Sequence, residues 1–88
     1  MDERDVLTVT TFEKSEHDGQ WYWHTQTGNQ EVVGDGAEGY TQLSGAAHGF
    51  FVQQGVNYEE AQLNSDYSQL NKISENKYTI TKYTKKDN

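Results

Sequence analysis

Apolar and β-branched residues cluster in short stretches that end at turn-forming residues. Leu7-Thr8-Val9-Thr10-Thr11-Phe12 has the composition of a strand, and the polar residues 1–6 before it are expected to fray. His17-Asp18-Gly19 signals a turn. In Gln20-Trp21-Tyr22-Trp23-His24-Thr25-Gln26-Thr27, a two-residue period puts Trp21, Trp23 and Thr25 on one face and Tyr22, His24 and Gln26 on the other. Gly28-Asn29 predicts a two-residue hairpin turn into a third strand, Gln30–Asp35. The first 35 residues therefore predict a three-stranded antiparallel meander.

The period then lengthens. Leu43, Ala47, Phe50 and Gln54 fall on one helical stripe, with Ala46 and Phe51 beside it, so a helix is predicted over about 42–54. Thr41 is its expected N-cap, and Gly55 stands where a helix end favours a left-handed residue. Residues 57–75 read as a connector. Asn57 with Glu60 resembles a capping box, and Tyr67, Leu70 and Ile73 are spaced three apart, as on a helical turn. Residues 77–84 alternate as a final strand, with Tyr78 and Ile80 on one face and Thr79, Thr81 and Tyr83 on the other. Shifted by 71 positions, Leu7–Phe12 lies over Tyr78–Tyr83. This echo is either chance similarity between two Thr-rich strands or the start of a second, truncated repeat. The fold class is α+β: a meander packed on one helix, plus a C-terminal strand.

Size changes this picture in one respect. Of 88 residues, 28 are apolar, and six of these are Tyr. So small a core has a thin stability margin, and without Cys no disulfide or thiolate metal site can supplement it. A second chain is expected to complete it. No apolar run approaches the ~18 residues of a membrane span, and no charged-then-apolar leader opens the chain, so a soluble, cytoplasmic protein without membrane partners is expected.

The formal charge is −7, unevenly spread. Residues 1–40 carry nine acids and two bases, residues 41–70 three acids, and residues 71–88 five Lys and two acids. Direct nucleic-acid binding needs Lys and Arg on one face and is not expected. The basic C-terminal tail is either solvated or docked on an acidic body, its own or a partner's.

Candidate chemistry is sparse. His17, His24 and His48 lack helical i,i+4 spacing and any Cys partner, so no metal site is expected. Trp21, Trp23, Tyr22 and Tyr40 form a possible stacking platform, but their neighbours Glu31, Asp35 and Glu38 are acidic. The expected core is Trp21, Trp23, Tyr40, Leu43, Ala47 and Phe50, with Tyr22 and His24 left open to solvent or a partner. Asp35 with Glu38 flanks a Gly-rich turn and reads as structural rather than as an acid/base pair. Gly34, Gly36 and Gly39 do not form a dinucleotide fingerprint, because no parallel βαβ unit follows. No catalytic, cofactor-binding or metal-ligating residue is assigned, and no cofactor is expected.

Gly19-Gln20-Trp21-Tyr22-Trp23, the turn at Gly28-Asn29, and Glu38-Gly39-Tyr40 followed by a helix with Ala46 and Gly49 together resemble the YegP-like family of small uncharacterised proteins. The resemblance spans about residues 7–54. The chain departs from the family pattern in reading Gly-Asn for Asn-Gly, in His24, in the approach Asp35-Gly36-Ala37, and in its longer connector. The resemblance implies a single sheet built from two strand-strand-strand-helix-strand units that exchange their C-terminal strands. With one such unit in residues 1–88 (core about 7–56, connector 57–75, last strand 77–84), it implies a homodimer. The expected role is a non-catalytic binding or protein-interaction module with an unidentified protein partner. The alternative is an acidic nucleic-acid mimic that sequesters a nucleic-acid-binding protein.

Overall fold

A computed structural model describes residues 5–36, 38–56, 59 and 66–84. The elements run β1 (Val6–Lys14), β2 (Trp21–Thr27), β3 (Val32–Asp35), α1 (Leu43–Gln53), β4 (Asn71–Ser74) and β5 (Lys77–Tyr83). All strands pair antiparallel in one sheet of order β3-β2-β1-β5-β4. The meander and the helix packed on it are as the hydrophobic pattern predicts. The last strand pairs with β1 along nearly its whole length, from Val6 opposite Tyr83 to Glu13 opposite Lys77.

The core lies between α1 and one face of the sheet. Phe12, Trp21, Trp23, Ala46, Ala47, Phe50, Phe51 and Ile80 are all buried there. Phe50 is its hub: Phe12 and Trp23 meet its ring nearly edge-on, with centroids 5.8 and 5.3 Å away. Such edge contacts add to the area term that dominates small cores. Thr10 and Thr25 are also buried on this face, and their hydroxyls bond each other at 2.7 Å. Each thus satisfies a polar group that burial would otherwise leave unpaired. Tyr40 and Leu43, expected in the core, pack against it but stay partly exposed.

The helix begins later than expected and is capped differently. Gln42, not Thr41, is the N-cap, in extended conformation and with no side-chain cap bond. Its far end closes as the sequence predicts. Gly55 adopts φ +78°, its N–H reaches the Val52 carbonyl, and the Val56 N–H reaches that of Phe51. This is a Schellman closure, which suits glycine because a Cβ at positive φ is strained.

Three other expectations are corrected. The β2–β3 connection is a three-residue loop, 28–30, rather than a two-residue turn. Gln30 donates to Thr27, Thr27 donates to Glu31, and Gln30 takes the left-handed conformation at φ 67°. β3 accordingly starts at Val32 rather than Gln30. Within 57–75, residues 71–74 form β4, so Ile73 lies on a strand and not on a helical turn with Tyr67 and Leu70. Residues 66–68 bond to the other half of β5: the Ser68 N–H reaches Thr81, and the Tyr83 N–H reaches Asp66. The capping box at Asn57 and Glu60 lies outside the described residues. Finally, the 71-residue echo does not superpose. Phe12 faces α1, whereas Tyr83, its counterpart, lies an odd number of residues from the inward Tyr78 and faces away.

Candidate functional site

The face of the sheet opposite α1 holds the two residues singled out as possible contacts. Register places Asp35, His24, Thr11, Thr79 and Asn71 in one row across all five strands. Tyr22 and Glu13 lie in the next row, opposite Lys77. Tyr22 and His24 are both partly exposed, as their alternation with buried Trp21 and Trp23 dictates.

Tyr22 has a partner that the sequence reading missed. Its hydroxyl donates to Asp18 Oδ2 at 2.5 Å, while Oδ1 of the same carboxylate accepts the Gln20 N–H at 2.9 Å. Gly19, at φ 72°, turns the chain so that Asp18 faces β2. The cue was present: an Asp in a turn, four residues before an outward-facing Tyr. The Tyr22 hydroxyl is the first cause holding the Asp18 carboxyl below its ordinary value of 3.8, and Gln20 and His17 act in the same direction. Reciprocally, that bond holds the Tyr22 phenol above 10.0.

Both shifts have a defined sign in stability. The Asp18 contribution is present above the ordinary value and is lost as pH falls through the lower folded one. The Tyr22 contribution is present below 10.0 and is lost as pH rises through its higher folded value. Tyr22→Phe should therefore raise the Asp18 pKa toward 3.8 in a carbon-detected NMR titration. An Asp18 pKa that does not move would refute the link.

The histidines are not brought together. His24 is on the open face of the sheet, and His17 is in the β1–β2 turn, beside a polar cleft of about 550 Å³ that Glu16 and Lys77 also line. His48 is on α1, across the sheet from His24, and lines a cleft of about 360 Å³ with Leu43, Ala47 and Leu70. Asp35 and Glu38 are exposed on either side of residues 36–37. Asp35 pairs in register with His24.

The remaining motif residues have packing roles. Tyr40 bridges to Trp21 through two backbone bonds, and its ring lies over Gly45 and Gly49 of α1. A methyl on Gly49 would collide with the Tyr40 hydroxyl. Sequence reasoning also missed the outer edge of β3, where Val32 and Val33 are 60% and 59% exposed between Glu31 and Asp35.

A family model described as a domain of unknown function (DUF1508) matches residues 17–50, from the β1–β2 turn to Phe50. That stretch contains Trp21, Trp23, Tyr40 and Gly49. No curated protein and no solved structure matches the chain. Among the described residues, no helix is long and apolar enough to cross a membrane.

Proposed function

We propose that this chain is a YegP-like domain acting as a homodimeric, non-catalytic protein-interaction module. The placement of β5 carries the reading. The last strand of the chain occupies the interior of the sheet, between β1 and β4, instead of an edge. A second copy supplying the same strand would keep every β1–β5 register pair and change only which chain provides it. The family-model match to residues 17–50 supports the YegP-like part of this reading, since it covers β2, β3 and most of α1, where much of the resemblance lies.

Sedimentation equilibrium tests the dimer. The expected mass is twice 10.1 kDa at micromolar concentration, with a melting temperature that rises with concentration. A mass of 10.1 kDa at high micromolar concentration would overturn it. For exchange, copies labelled with different isotopes and refolded together should show Thr10–Ile80 contacts between unlike labels. Contacts only within one label would exclude exchange.

A further inference from the structure

We propose that the open edge of β3 is a docking site for an extended, basic segment of a partner protein, which adds there as a sixth strand. The inference rests on the reading of this chain as an interaction module, and not on its being a dimer.

Three observations converge on this edge. Among the described residues, no strand pairs with the outer side of β3, so its backbone donors and acceptors face outward. Edge strands are commonly blunted by Lys. The opposite edge follows that rule, with Lys72 in β4, whereas β3 reads Val32-Val33-Gly34-Asp35 and has no cation. Instead it presents two adjacent valines. The register slips between Thr25 and Gln26, where Val33 is the extra residue, and both valines remain more than half exposed.

Charge selects the occupant. Glu31 and Asp35 bracket the valines, and Glu38 follows, all three exposed. Two β3 edges meeting across a twofold axis would set these carboxylates against their own copies, which disfavours a second copy here. A strand carrying Lys or Arg meets them with opposite charge. A groove of about 290 Å³ lies on the α1 side of the same edge. Val33, Gly34, Trp23, Thr25 and Leu7 are among its walls, with Lys82, whose charge turns a basic side chain of the added strand away from the groove and toward the open face. Alternate side chains of an added strand point to that side, so the groove offers room for one apolar side chain.

The test is titration of the isotopically labelled protein with a capped Lys-Val-Lys-Val-Lys peptide at low salt, read by amide NMR shifts. The expected result is saturable shifts centred on residues 31–35, weakening as salt is raised. The Glu-Val-Glu-Val-Glu peptide should produce none. Glu31→Lys with Asp35→Lys, both exposed and compatible with folding, should weaken the basic peptide at least tenfold and admit the acidic one. Circular dichroism of the variant checks that the fold is kept. No shifts, or shifts centred on the open sheet face or on β4, would overturn the site. A protein that sediments as a dimer yet ignores the peptide would lose this proposal and keep the homodimer. A monomer that binds the peptide at 31–35 would do the reverse.

Discussion

Trp23→Ala should lower the melting temperature by at least about 12 °C, a loss that leaves little folded protein under ordinary conditions. Trp23 is 3% exposed and stacks edge-on against Phe50, and the carbonyl of the same residue accepts the Gly36 N–H. Truncating a buried Trp costs ~3–5 kcal/mol, and each kcal/mol moves the midpoint of so small a domain by ~4–8 °C. Collapse cannot easily fill the space, because the ring sits between the sheet and α1. His24→Ala is the control. That side chain lies one residue further along on the opposite face, so its loss should move the midpoint by less than about 5 °C. Equal losses for both variants, measured by thermal circular dichroism, would contradict the inward and outward assignment of β2.

Ending the chain at Glu75 should abolish cooperative unfolding altogether. The cut removes β5, and with it buried Ile80, the Tyr78 ring beside Trp21, and the pairing partner of both β1 and β4. What remains is a helix and a three-stranded meander with β1 newly exposed as an edge. Ending instead at Thr84 keeps the whole of β5 and should leave the melt cooperative. A chain ending at Glu75 that melts sharply, with native near-ultraviolet signal, would show that β5 is dispensable.

How far the fold was legible depended on what each segment encodes locally. In β2, Trp21, Trp23 and Thr25 alternate with Tyr22, His24 and Gln26, each of which carries a polar group, so both strand and faces are readable from Trp21 to Gln26. α1 is readable because Ala46, Ala47, Phe50 and Phe51 share a face and Gly55 ends it. β4 is not readable: Asn71-Lys72-Ile73-Ser74 has one apolar residue, exposed at 55%, and its strand conformation comes from pairing with β5. Phe12 was read as part of a strand but not as core, since neighbouring threonines obscure which face of β1 is buried. The Gly28-Asn29 turn misled because the left-handed residue is Gln30, a residue type with no special preference for that conformation. The candidate contacts fared similarly. Alternation exposed Tyr22 and His24, but the bond from Tyr22 to Asp18 depends on how Gly19 turns the chain. The open edge of β3 depends on strand order, which no local pattern contains.

That strand order also constrains how the chain can be made. Thr81 lies beside Val9, so two neighbours in the sheet are separated by seventy-two positions along the chain. Closing so long a loop carries an entropic cost before any contact repays it, and pairings of this kind slow folding. During synthesis β1, β2, β3 and α1 all emerge from the ribosome before β5 does. For that interval the inner edge of β1 has no strand of its own to receive, while any finished copy nearby carries one. Time on the ribosome, and the local density of sibling chains on one message, would then decide whether the vacancy is filled from within or from a neighbour.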